Sequence, residues 1–105
     1  MNLEKPITIT KREIVNQISE KLDVKQVIVK DVVQYFLDDI VNSLSKGDRL
    51  EFRDFGVFEV VLRKARIAQN PKTLEKVDVP ARNVAKFKVG QTMKDTIRKS
   101  LANKE

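Results

Sequence analysis

The chain of 105 residues is 41% hydrophobic and carries a formal charge of +6, which suits a single domain with a modest core. It has no cysteine and no histidine, which excludes disulfides, thiol chemistry, the commonest metal ligands and the usual general base. No apolar run approaches the ~18 residues of a membrane span, and the start "MNLEKPITIT" lacks the apolar block of a secretion signal, so we expect a cytosolic protein.

Two helices are predicted in the first half of the chain. The segment from Thr10 to Glu13 fits a capping box, and the apolar spacing after it predicts a helix over residues 11–22. A second helical pattern runs over residues 26–46 and stops at Gly47. Its apolar stripe is wide and contains Ile28, Val32, Val33, Phe36, Leu37, Ile40, Val41 and Leu44. A stripe this wide indicates burial on two sides, which we interpret as a dimer interface.

After Gly47 the apolar period changes to two, which predicts strands. We expect a strand at 49–52, a turn at 54–56, strands at 57–63, 76–79 and 84–89, and a last helix at about 91–102. The fold class is therefore α+β, with the helices covering one face of an antiparallel sheet. The other face should then carry the cations Arg53, Arg63, Lys86 and Lys88.

The charge is distributed unevenly along the chain. Residues 63–105 hold 12 Lys and Arg against 4 Asp and Glu, whereas residues 1–62 hold 9 against 11. Such one-sidedness favours an anionic partner, most often a nucleic acid. The alternative is a basic surface that is only solvated.

The polar stretch 63–82 is predicted to form a hairpin arm, because it holds too few large apolar residues for a core. Its cations are Arg63, Lys64, Arg66, Lys72, Lys76 and Arg82, against only Glu75 and Asp78. Asn70 and Pro71 suit the first two positions of a type I turn at the tip. Pro71 is then either a turn former alone or a rigid wedge that enters between stacked bases in the minor groove. In the second case Gln69 and Asn70 can bond to acceptors on the groove floor.

Four motifs resemble the HU and integration host factor family of bacterial DNA-bending proteins: "TKREIV", "KGDRLEFRDFGVFEV", "ARIAQNPKT" and "FKVGQTMKD". The similarity runs from about Ile9 to Leu101. The family implies an intertwined dimer with two DNA-clasping arms, in which Pro71 intercalates. The helix starts near Thr10 and Gly90 would offer backbone N–H groups to phosphates. It also implies a role in chromosome compaction and in the assembly of DNA complexes, and hence a place in the nucleoid.

Some positions depart from the family pattern. Ala68 and Gln69 stand where Gly-Arg is usual, Leu74 replaces a glycine and Gln91 replaces a lysine. Without a charge on Gln69 we expect a shallower salt dependence. Because leucine disfavours positive φ, we also expect a changed path for the returning strand. Glu51 and Arg53 resemble a pair that assists sequence choice in the integration host factor beta subunit. The alternative is an ordinary surface ion pair.

We therefore predict one domain over residues 1–105, with a flexible extension at 1–8 and the arm at 63–82. The predicted DNA-binding residues are Arg53, Arg63, Lys64, Arg66, Gln69, Asn70, Pro71, Lys72, Thr73, Lys76, Arg82, Lys86 and Lys88. The predicted dimer core comprises Val33, Phe36, Leu37, Ile40, Phe52, Phe55, Phe58 and Phe87.

The expected partners are double-stranded DNA and a second subunit, identical or related, with no membrane, metal, cofactor or small-molecule substrate. An enzyme is not expected, because the sequence has no phosphate loop, metal spacing or nucleophile–base set. RNA binding and a scaffold for an acidic protein stay open as alternatives, and so does the choice between sequence-specific and non-specific DNA binding.

Overall fold

The structure is a computed structural model that describes residues 6–102. Its elements in chain order are α1 (Lys11–Leu22), α2 (Gln26–Ser45), β1 (Leu50–Phe52), β2 (Gly56–Arg63), β3 (Arg66–Gln69), β4 (Lys76–Val79), β5 (Arg82–Val89) and α3 (Gln91–Ala102). The predicted α+β order is confirmed. The flexible extension predicted at 1–8 lies largely outside the described residues, and residues 6–8 belong to no helix or strand.

The ends of the first two helices follow from local hydrogen bonding. The hydroxyl of Thr10 accepts from the backbone N–H of Glu13 at 3.3 Å, as a capping box requires. The Glu13 carboxylate accepts from that hydroxyl at 3.4 Å rather than from the Thr10 N–H. Gly47 ends α2 in the left-handed conformation, with φ of 83°, and donates to Leu44 O at 2.9 Å.

Strands β1, β2 and β5 form one antiparallel sheet in that order. Phe58 lies opposite both Leu50 and Phe87, which sets the apolar residues of all three strands on one face. The rings of Phe58 and Phe87 are 4.7 Å apart, and Phe36 of α2 lies 5.4 Å from Phe52. Helix α2 therefore packs on the apolar face through an aromatic cluster.

Strands β3 and β4 form a separate two-stranded sheet, the arm. Pairing of β2 with β5 ends at Arg63 and Arg82, and pairing resumes where Arg66 lies opposite Val79. Pro80 lies in this break, and a proline has no N–H to donate to a ladder. The predicted hairpin arm is therefore present, and it is joined to the body by short segments outside the strands.

The single chain has a very small core. Among the described residues, the buried hydrophobic side chains are Val15 and Val29. Tyr35, Val41 and Phe55 are 74%, 65% and 48% exposed. The radius of gyration is 19.2 Å, whereas a compact chain of about 100 residues has a radius near 13 Å. Much apolar surface of α2 and the sheet is thus left uncovered within one chain.

Helix α3 has no buried residue, and Ile97 on its apolar side is 49% exposed. The packing of this helix against the sheet, which we expected from its amphipathic pattern, is not complete within one chain. An amphipathic helix needs a covering surface for its apolar stripe, so α3 adds to the apolar surface that the single chain leaves open.

Candidate nucleic-acid interface

The face of the sheet opposite Phe58 and Phe87 carries charged side chains among the valines Val57, Val61 and Val84, and the strand register decides which side chains share it. Glu59 lies opposite Lys86, and Arg63 lies opposite Arg82. Residues directly opposite each other in a sheet project to the same side. The predicted cations Arg63, Lys86 and Lys88 therefore share this face with Arg82. We call it the polar face.

Part of the polar face is electrically compensated. Lys88 Nζ lies 3.1 Å from Glu59 Oε2, and Arg49 Nε lies 3.8 Å from Glu59 Oε1. Arg49 Nη1 also lies 3.2 Å from Glu51 Oε1. Two glutamates therefore offset the charges of Arg49 and Lys88 near β1. The prediction missed Arg49, although its alternation with Glu51 was a usable signal.

Arg53, which we expected on the outer face of the sheet, does not lie on a strand. It belongs to the turn between β1 and β2, where it lines a cleft of about 230 Å³ together with Gln91 and Thr92 at the start of α3. Glu51 makes a surface ion pair, but its partner is Arg49 and not Arg53. Within residues 6–102 Glu51 and Arg53 form no ion pair with each other, but both line this cleft.

Four cations converge at the base of the arm. Arg63, Lys64, Arg66 and Arg82 line a cleft of about 400 Å³, together with Pro80. Within residues 6–102, none of the four lies within ion-pairing distance of a carboxylate. The positive charge of the polar face is therefore concentrated where the sheet passes into the arm.

The turn at the arm tip is one residue longer than the expected type I turn. Leu74 N–H donates to Asn70 O at 2.7 Å, and Asn70 N–H donates to Glu75 O at 2.9 Å. The chain thus reverses over residues 71–74, with Pro71 in the first position. Four-residue loops of this kind are common hairpin connections. Pro71 and Lys72 are both exposed at the end of the arm.

Both amide side chains near the tip bond to the backbone of their own chain. Asn70 Oδ1 accepts from Lys72 N–H at 2.9 Å, and Gln69 Nε2 donates to Leu74 O at 3.2 Å. Because each amide NH2 group carries two donors, the interpretation that these side chains also bond to acceptors on the groove floor stays a prediction. Leu74 itself adopts a φ of 62°, the conformation that we expected leucine to disfavour, and β4 pairs in register from Lys76 onward.

The remaining predicted residues fall into two groups. Thr73 lies in the tip, where its hydroxyl accepts from Glu75 N–H at 3.3 Å, and Lys76 begins β4 opposite Gln69. The predicted dimer-core residues lie on α2 or around the sheet's apolar face, and in one chain they are half-buried or exposed: Val33, Phe36, Leu37, Ile40, Phe52, Phe55, Phe58 and Phe87.

The comparisons with known proteins agree with this geometry. The family model described as "Bacterial DNA-binding protein" matches residues 9–98. The chain belongs to this family. Its HU and integration host factor members include a probable DNA-binding protein HU of Chlamydia pneumoniae, 44% identical over 91 residues, which cover 86% of this chain and 91% of the relative. An integration host factor subunit beta of Nitrosomonas europaea is 41% identical over 91 residues, covering 84% of this chain and 85% of the relative.

Among solved structures, the chain is similar to HU in an Anabaena HU–DNA cocrystal structure, with a TM-score of 0.77 and 35% identity. That match covers 85% of this chain and 97% of the other. This HU/IHF-family protein is therefore of the architectural DNA-binding type and not an enzyme. Within residues 6–102 no helix is long and apolar enough to cross a membrane.

Proposed function

We propose that this HU/IHF-family protein binds duplex DNA through the minor groove and phosphates, and bends it by inserting Pro71 between base pairs. One observation carries the proposal: the cleft at the arm base, whose cations make no ion pair within residues 6–102, leads into a two-stranded arm that ends in an exposed proline. If Pro71 served only to form the turn, the cations on the arm would have no role. An arm that bends DNA uses both the proline and the cations.

The energetics of bending fit this arrangement. Unstacking a base step costs a few kcal/mol, and the phosphate contacts that a bend permits offset that cost. Arg63, Lys64 and Arg66 lie close to the body, where they are placed to hold the duplex while the tip reaches into the groove. Lys72 and Lys76 lie at the far end of the arm.

We infer that the functional unit is a dimer, of two identical chains or of this chain and a relative. The uncovered apolar surface of α2, the sheet and α3 supports this inference, because large contiguous apolar surfaces on soluble chains mark interfaces. The Phe55 ring is 5.5 Å from that of Phe87 yet 48% exposed, so a second chain would complete this cluster. A melting temperature that rises with protein concentration would support a folded state that depends on association.

A dimer with two arms would clasp one duplex from both sides, which suits compaction of the chromosome and assembly of larger DNA complexes. We therefore place the protein in the nucleoid. The chain is then a single HU/IHF-like domain, with residues 63–82 as its DNA-clasping arm.

The central experiment measures the bend of a short duplex labelled at both ends for energy transfer. The native protein should bring the labels closer, and Pro71→Ala should lose most of that change while retaining phosphate-driven binding. The matched control is Lys72→Met, which removes a neighbouring charge but keeps the wedge; it should weaken binding and preserve the bend. An unchanged bend in Pro71→Ala would contradict the proposal.

Competition with single-stranded RNA tests the nearest alternative. RNA readers usually stack bases on exposed aromatic residues, and the arm contains none. We therefore expect duplex DNA to compete far better than single-stranded RNA. Selection from a random duplex pool then measures any sequence preference, including that of Glu51 and Arg53.

A further inference from the structure

We propose that Gln69 is a positioning residue that holds the arm tip in one conformation, so that Pro71 meets the DNA already ordered. The inference rests on the proposed function of Pro71 as a wedge. It gives Gln69 a role that does not depend on charge, at a position where the family pattern has a cation.

The tip contains a conformation that its sequence disfavours. Leu74 has a φ of 62°, a region that L-residues other than glycine, asparagine and aspartate rarely adopt. The side chain of Leu74 is 68% exposed, so packing of the leucine does not repay the unfavourable backbone geometry. Other interactions must therefore keep Leu74 in this conformation.

Hydrogen bonds to both backbone groups of Leu74 provide that restraint. Its N–H donates to Asn70 O at 2.7 Å, and its carbonyl oxygen accepts from Gln69 Nε2 at 3.2 Å. The first bond is part of the backbone turn and is open to any sequence. The second depends on the side chain at position 69, and a residue without an amide or comparable donor cannot make it.

The rest of the arm offers little packing to compensate. Ile67 and Val77 are 68% and 49% exposed, and the arm pairs with no third strand among the described residues. An isolated two-stranded hairpin is marginally stable in water. Local hydrogen bonds at the tip therefore contribute strongly to the fraction of molecules in which the turn is folded.

A tip that is ordered before binding loses less conformational entropy when Pro71 enters the DNA. The same bond ties the Gln69 amide to the backbone of its own turn, so this side chain acts through the order of the tip. Gln69 thus favours insertion through order, and the tip discriminates DNA by its deformability rather than by hydrogen bonds from this residue.

The test replaces Gln69 with methionine, which is similar in length and uncharged but has no amide donor. In the free protein, ¹⁵N relaxation of residues 70–75 should show increased mobility. Binding to a duplex should weaken by about threefold, the scale of one exposed hydrogen bond, and the bent fraction at saturation should fall. The salt dependence of binding should stay unchanged, because Gln69→Met alters no charge.

A double variant separates positioning from a general loss of structure. Glycine adopts positive φ without strain, so Leu74→Gly should remove the need for the Gln69 bond. In the Leu74→Gly background, Gln69→Met should therefore cost less than in the native background, which is the coupling that a double-mutant cycle measures. The control Lys72→Met should lower the salt dependence and leave the mobility of residues 70–75 unchanged.

Two failures are distinguishable. Normal tip order, or normal binding and bending, in Gln69→Met would overturn the positioning role, provided that Pro71→Ala still abolishes bending. Equal costs of Gln69→Met in both backgrounds would also overturn it. Bending that persists in Pro71→Ala would instead remove the proposed function, whatever the Gln69 variants do.

Discussion

Two lysines on one strand give a sharp test of which charges reach DNA. Lys86 and Lys88 both belong to β5 and to the polar face, and they differ in their neighbours. Lys88 Nζ is 3.1 Å from Glu59, whose side chain is only 19% exposed, whereas within residues 6–102 Lys86 makes no ion pair. We predict that Lys86→Met weakens the salt dependence of DNA binding much more than Lys88→Met does.

The magnitude follows from counterion release. Each phosphate that a cation neutralises on duplex DNA steepens the plot of log affinity against log salt by about 0.9. Loss of Lys86 from both chains of a dimer should flatten the slope by about 1.8. Between roughly 50 and 200 mM salt, the native protein should then lose about tenfold more affinity than the variant does. For Lys88→Met we expect less than half that change, because Glu59 offsets its charge.

The assay is fluorescence anisotropy with a labelled duplex, titrated at several salt concentrations. Glu59→Gln is the reciprocal variant: it releases Lys88, while Arg49 keeps its ion pair with Glu51, and it should raise affinity and steepen the slope. Equal slope changes for Lys86→Met and Lys88→Met would refute the reasoning, because they would show that DNA phosphates displace Glu59 at no cost.

Three further predictions concern the fold. Leu37→Glu should abolish self-association in sedimentation, because the 38% of Leu37 that is exposed in one chain is expected to be buried by the partner; a stable dimer of this variant would contradict the inferred interface. Gly56→Ala should destabilise by about 2 kcal/mol in urea denaturation, because a Cβ would lie 2.5 Å from Lys88 O. At Gly47 an added Cβ meets open space, but the φ of 83° is unfavourable for a side chain. Gly47→Ala should therefore lower the free energy of unfolding by about 1 kcal/mol, and Gly47→Asn should lower it less. Equal losses of stability in the two variants would argue against backbone strain.

The elements of the body were predictable because their signals are local. The helical spacing after Thr10 and the period of two around Phe58 depend only on which residues must share one apolar face. The capping threonine and Gly47 mark helix ends through bonds within a few residues. The secondary structure of the body, and the presence of an arm with a proline at its tip, could therefore be predicted from the chain alone.

The arm strands were less visible in the sequence. The pattern of "KVDV" predicted β4, but β3 lies in a basic stretch without a clear alternation of large apolar residues. It forms because β4 pairs with it across the tip, and this pairing of two strands is not visible in the pattern of β3 alone. The longer turn likewise depends on Leu74 accepting a φ of 62°, which no propensity of leucine favours.

By itself the sequence determined the family, the order of helices and strands, and the uneven distribution of charge. Only the tertiary structure decided which charges are available. It placed Glu59 beside Lys88, gave the arm-base cations no ion pair in the described part of the chain, and directed the Gln69 amide to the backbone of its own turn. The physical reason is that charge and hydrogen bonding act through distance in space, and strand register and turn geometry set those distances.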